Sequence, residues 1–192
     1  MADTTELSRT FEGSTIPAAG TYTFDPSHSR VAFSVRHLMV AKVRGHLAPP
    51  TGTFVIAEDP LQSSVEVDLD WSTIETGDPG RDAHLKTADF LDAEKTPTVT
   101  FKSASVRHIK GDDWTIDGNL TIGEVTKPVT LDLEVNGVSR DPWGNTKVGF
   151  EARTKINRED FGMTWNAALE TGGVVVGKDV NIEIDVEAAA QA

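Results

Sequence analysis

Two arginines and a histidine, Arg36, His37 and Arg44, sit within the apolar stretch FSVRHLMVAKVRGH (33–46). The chain carries a net charge of −12, yet no Asp or Glu occurs between Asp25 and Glu58. Arg30, Lys42, His28 and His46 fall in the same gap. An arginine fork donates two parallel N–H bonds, which matches a phosphate or diphosphate. The chemistry open to Arg36, Arg44 and His37 is therefore capture of a polar or anionic headgroup. The competing use is cross-strand ion pairing with acidic strand faces, for example at Asp68 or Asp70.

Two other groups invite chemistry. His28 and His84 could join Asp25, Asp82 and Asp89 around a metal ion, but their spacing follows no HExxH or His-x-His pattern. Structural roles fit better: His84 bracing residues 81–90, and Asp82 or Asp89 capping backbone donors. Ser27 and His28 are adjacent, and the sequence holds no GxSxG elbow, so a Ser-His-Asp hydrolase is disfavoured. An enzyme using these His and carboxylate groups on a small apolar substrate is the alternative reading. The residues propose no catalytic group, no metal and no cofactor.

Elements must position these side chains, and period-two patterning supplies them. Val31, Phe33, Val35 and His37 alternate with Ala32, Ser34 and Arg36. The same alternation runs through 65–72, 129–136, 148–156 and 180–186, with weaker runs at 20–25, 53–57, 98–106 and 113–122. One apolar face per strand is the mark of a half-buried antiparallel sheet. Leu38 to Ala41 break the alternation and predict a bulge or a rim turn, and a bulge would re-aim Arg36 toward an opening. Parity otherwise points Arg36 away from Val35. Asp78 and Pro79 predict a helix start within 78–94, and NREDF followed by Gly162 predicts a helical turn at 157–161.

Composition excludes several classes. The acid excess argues against a nucleic-acid binder and against constitutive adhesion to anionic membranes. The chain has no Cys, so thiolate chemistry and disulfides are excluded. The N-terminus lacks a basic and an apolar region, which sets the expectation of a cytoplasmic protein without a signal peptide. Residues 1–18 show no periodicity and are expected to form a flexible arm, with one domain over 19–189. Eight or nine strands with short connections leave a two-sheet sandwich or a closed antiparallel barrel.

Four ordered blocks add a further reading: DPSHSRVAFSVRHLMVAKVRG (25–45), RDAHLKTADFLDAEKTPTVTF (81–101), LTIGEVTKPVTL (120–131) and INREDFGMTWN (156–166). Together they resemble the YceI-like polyisoprenoid-binding family over nearly all of the chain after residue 18. Leu91 stands where that family often has a second Phe, and Gly123 and Glu124 shift the position of a family glycine. The resemblance implies an all-β fold, a closed antiparallel lipocalin-like barrel of about eight strands with one or two short helices. It implies a long isoprenoid chain held in the lumen and no catalytic apparatus.

The apolar faces of Phe33, Val35, Leu69, Phe101, Leu131, Leu133, Phe150 and Ile182, with His37 at a strand end, would either pack as a filled core or line that lumen. Trp165 could line it too, or plug one end. The resulting expectation is a carrier or reservoir for a prenyl diphosphate or quinone, with Arg36 and Arg44 at the headgroup. Transient contact with a membrane or another protein would serve lipid transfer. Whether the chain forms a homodimer stays open at this point.

Overall fold

The computed structural model describes residues 7–168 and 173–191. Twelve strands follow in chain order: β1 Ser8–Phe11, β2 Ser14–Pro17, β3 Gly20–Phe24, β4 Arg30–His37, β5 Ala41–Leu47, β6 Thr51–Ile56, β7 Ser64–Asp70, β8 Thr98–Lys110, β9 Asp113–Ile122, β10 Val125–Arg140, β11 Thr146–Asn157 and β12 Val176–Ala190. One helix, α1, spans Pro79–Leu85.

Eight of these strands close a ring in the order β3, β6, β7, β8, β9, β10, β11, β12, and every pairing around it is antiparallel. Closure leaves these strands without a free edge, which is the physical gain over a sandwich. The final seam is long, running from Lys147↔Ala189 to Asn157↔Asp179.

On its other side β12 changes partner. Its last residues pair with β3, whereas Val176 to Asp185 pair with β4. β4 and β5 thus form a hairpin that splays out of the ring. Beyond β5 the sheet continues only as the bridge His46↔Glu75 among the described residues. Segment 71–96 covers this side, packing Trp71, Ile74, Leu85, Phe90 and Leu91 into the main core cluster.

Local chemistry explains the irregular parts. Asp78 accepts the Arg81 N–H at 3.0 Å as N-cap of α1, with Pro79 at its first position. Asn157 caps a single 3-10 turn, Arg158–Phe161, which ends at Gly162 with φ of +83°. Asp141 gathers the Trp143 and Asn145 amides into the β10–β11 turn.

One expectation is overturned and one open choice is settled. Residues 8–17, read as part of a flexible arm, form the β1–β2 hairpin. Its strands are four residues each, too short to show periodicity. Ile16 is buried there with Val106, Trp114 and Val135. The break at 38–41 is a rim turn and not a bulge: the β4–β5 register runs without a shift from Val31↔Leu47 to His37↔Ala41.

Candidate functional site

The barrel encloses a cavity of about 300 Å³ with an almost wholly apolar wall. Phe33, Val35, Leu69, Phe101, Leu131, Leu133, Phe150 and Ile182 all line it. Their inward parity follows from the ladder registers, for example Ile182↔Phe33 and Phe150↔Val186. Two glycines explain why the rings leave space. A Cβ on Gly45 would lie 2.5 Å from Phe33 Cζ, and one on Gly118 would lie 2.4 Å from Phe101 Cζ. Each ring's tip therefore occupies the space that a side chain on the neighbouring strand would fill.

The two ends differ. At one, Ile16 and Pro17 of the β1–β2 hairpin reach the cavity. That hairpin is pinned by Ser14 Oγ donating to Asp112 Oδ1 at 3.0 Å and by His108 Nδ1 beside Glu12 Oε2 at 2.8 Å. The Arg9 guanidinium donates to the carbonyls of Ala57 and Glu58. The Gly111 carbonyl and then Glu12 raise the pKa of His108, against the opposing effect of its desolvation.

At the other end stands Arg158, 2% exposed and part of the cavity wall. Its Nε donates to Gly177 O at 2.9 Å, Nη1 to Met163 O, and Nη2 reaches Val176 O at 3.5 Å. The Phe90 ring lies 6.0 Å from its guanidinium carbon. No carboxylate pairs with it among the described residues. Burial pulls its pKa down and Glu159 opposes this, yet a guanidinium starts so high that it stays charged. Five N–H donors and three carbonyl partners leave donor capacity unused. Trp71 and Trp114, two residues of the wall, also have buried indole N–H groups with no partner among the described residues.

Sequence reasoning missed Arg158, although a signal was available. The inward series Val148, Phe150, Ala152, Thr154, Ile156 reaches Arg158 two residues further on.

The other candidates fall outside the cavity wall. Arg36 and Arg44 are exposed, and the unbroken β4–β5 register keeps Arg36 on the outer face. His37 is half-buried at the end of β4, where it pairs with Val176, and does not line the cavity. Trp165 does not line it either. It stacks edge-on with His84 at 4.8 Å and against Phe90 at 5.3 Å, an aromatic cap over the Arg158 end. His84 Nε2 lies 2.8 Å from Asp89 Oδ2 and braces this segment, while Asp82 accepts the Thr76 amide at 2.9 Å.

Asp25, His28 and Glu187 converge closely enough to suggest a metal site. Lys147 already supplies the cation: its Nζ lies 3.1 Å from Glu187 Oε1 and closer still to Asp25. This cluster ties β11 and β12 to the chain just after β3. The hydrogen bond from Lys147, followed by the Ser27 amide, lowers the Asp25 pKa to about 2. A depressed carboxylate stabilises the fold above its ordinary value of 3.8, and that contribution is lost as pH falls from 3.8 through about 2. Asp25→Asn is expected to lower Tm by about 4 °C near neutral pH. The difference from the parent should shrink below pH 4 and vanish near 2. A Tm series against pH checks this, and a constant gap across the range would refute it.

The fold has known relatives. The YceI-like domain family matches residues 22–188. The UPF0312 protein SA2479 of Staphylococcus aureus (strain N315) is 38% identical over 179 residues, which covers 86% of this chain and 95% of that protein. Burkholderia cenocepacia BcnA superposes with a TM-score of 0.74 at 19% identity, over 85% of this chain and 98% of BcnA. A polyisoprenoid binding domain from Saccharophagus degradans superposes with a TM-score of 0.66 at 13% identity, over 88% and 98% of the two chains. At such low identities the last two likenesses concern the fold alone. The β1–β2 hairpin precedes the matched region, whereas the barrel wall and Arg158 fall within it. With a match that spans the whole ring, this chain belongs to the YceI-like domain family.

Proposed function

We propose that the protein binds an isoprenoid lipid in its lumen as a carrier or reservoir, with a diphosphate or quinone headgroup toward Arg158. The observation that carries this reading is an apolar cavity whose wall holds one buried, unneutralised cation. Its other unpartnered polar groups are indole donors. A wall with a buried guanidinium and, among the described residues, no carboxylate suits a ligand that is greasy along its length and hydrogen-bond accepting at one end. A cationic amphiphile would meet like charge in a poorly screened site. The binding that gives the Saccharophagus degradans domain its name adds support. The enzyme alternative gains none from geometry, because the pairs His84–Asp89 and His46–Glu75 and the cluster at Asp25 lie outside the cavity wall.

Size and energy shape the mechanism. A cavity of about 300 Å³ lies at the lower end of ligand pockets. A long isoprenoid must therefore widen the lumen as it enters or leave part of its tail at a mouth. Each buried methylene contributes about 0.8 kcal/mol. Even after the cost of ordering the chain, release into water is slow, and transfer calls for contact with a bilayer or another protein.

Organic extraction of freshly purified protein followed by mass spectrometry is the test. A copurified prenyl lipid is the expected result, and extracts free of any prenyl species would overturn the proposal. Arg158→Gln is expected to weaken a prenyl diphosphate about 10- to 100-fold, the scale of a lost charged hydrogen bond. A quinone of equal tail length should weaken by less than about fivefold, since its carbonyl is neutral. Equal losses for both would remove Arg158 from the headgroup role.

A further inference from the structure

The tip of the β4–β5 hairpin has features that folding alone does not explain. The turn over residues 37–40 is closed by Val40 N–H donating to His37 O at 3.2 Å. Its central residues, Leu38 and Met39, both adopt left-handed backbone, with φ of +49° and +61°. Such a turn favours Asn and Gly, because Cβ crowds the following carbonyl oxygen there, which Gly avoids and Asn offsets by local hydrogen bonding. This chain instead places three apolar residues in water: Leu38 is 39% exposed, Met39 57% and Val40 81%.

Charge marks the same place. Arg36 and Lys42 lie directly opposite each other across the two strands, a like-charge pairing that weakens a sheet. Arg44 follows on the same exposed face. None of the three has an ion-pair partner among the described residues, in a protein of net charge −12. Gly177 joins this tip to the cavity. Its carbonyl accepts from Arg158, and a Cβ on it would lie 3.1 Å from Arg36 Cβ.

From this geometry we infer that the β4–β5 tip docks on an anionic lipid bilayer. Leu38, Met39 and Val40 enter the acyl boundary, and Arg36, Lys42 and Arg44 meet the anionic headgroups. The acidic remainder of the surface is repelled, so the tip leads and adhesion is reversible. Docking at this point sets the Arg158 end of the lumen toward the membrane. The inference deepens the lipid-carrier reading and takes its purpose from it, while vesicle binding tests it separately.

The test is flotation of the full chain with phosphatidylcholine vesicles, with and without about 30% phosphatidylglycerol, at low salt and at about 0.5 M salt. Binding only to the anionic vesicles, and loss of binding at high salt, are expected. Replacing Arg36, Lys42 and Arg44 singly by Gln should lower partitioning about fivefold each. The double variant L38N/M39G is the decisive arm. It installs the residues that the turn favours, so Tm should rise by about 2–4 °C while vesicle binding is lost. V40S, which leaves the turn backbone alone, should also weaken binding. Lipid extracted from the double variant should match the parent, which separates failure of docking from failure of the lumen reading.

Parent protein that ignores anionic vesicles would overturn the inference, as would undiminished binding by L38N/M39G. A concentration-dependent dimer that L38N/M39G dissolves, without vesicle binding by the parent, would assign the tip to a second copy of the chain and overturn it equally.

Discussion

Phe101→Asp is expected to yield protein that copurifies without lipid. Phe101 is 7% exposed, lines the cavity and lies between Val67 and Leu120 on the neighbouring strands. A carboxylate there faces an almost wholly apolar wall, and the desolvation cost of an ionised group is large. Loss of the ring alone costs about 3–5 kcal/mol of stability in a packed core. Two companions separate an emptied lumen from an unfolded barrel. Phe101→Leu keeps the wall apolar and should keep its lipid. Gly118→Val works from the opposite side: its added Cβ would meet Phe101 Cζ at 2.4 Å and the Lys102 carbonyl at 2.6 Å, which drives the ring into the lumen. Reduced lipid content is expected at an overpacking cost of about 1–3 kcal/mol. Extraction with mass spectrometry, read beside a thermal melt, checks all three. Full lipid loading of a folded Phe101→Asp protein would sink the assignment of the lumen.

Removing residues 1–17 is the second large expected effect. The β1–β2 hairpin closes one end of the cavity through Ile16 and Pro17, and Phe11 packs against Trp114 at 5.7 Å. Its loss uncovers Trp114, Val106 and Val135 and orphans the Ala57 and Glu58 carbonyls that Arg9 serves. The transfer cost of Ile16 and Phe11 alone is roughly 4 kcal/mol, which corresponds to a fall in Tm of about 8–16 °C. The remaining barrel should still melt cooperatively, because its ring of strands begins at β3. Lipid should leave the truncated protein much faster than the parent when vesicles are offered as acceptors. Unchanged release would show that the hairpin is no stopper.

Titration bears on the same contact. The His108 pKa is raised, so its contribution is fully present below the ordinary value of 6.5 and declines as pH rises through the raised value. The hairpin is therefore held more firmly in mildly acidic solution.

The stopper and the docking tip occupy opposite ends of the lumen. The tip borders Arg158, just past the end of β11, and the hairpin packs near Val135 and near Phe150, the latter in the earlier part of that strand. One end thus offers charge and the exposed apolar turn proposed to dock, while the other is covered by apolar side chains. Under the proposed carrier role, ligand would pass through the Arg158 end.

Much of this was legible in local sequence. Alternation named the inward residues of β4, β7, β10, β11 and β12, because side-chain direction in a strand has period two whatever the strand pairs with. The cap at Asp78 and the turn at 157–161 were legible for the same reason, since such signals act within a few residues, though Asn157 proves to be the cap of that turn. Arg158 was legible in principle as the next inward position after Ile156, but a charge at an inward position looks like the end of a strand.

Other features needed the assembled chain. The β1–β2 hairpin carries too few alternating residues to declare itself, and only its packing partners hold it in place. The partner change of β12 from β3 to β4 has no local signal at all. Above all, alternation cannot tell a solid interior from a hollow one. That depends on the barrel radius and on where each ring comes to rest. Here the tips of Phe33 and Phe101 sit in the places left by Gly45 and Gly118, each contact made between two strands, so the space they leave open exists only once the strands have paired.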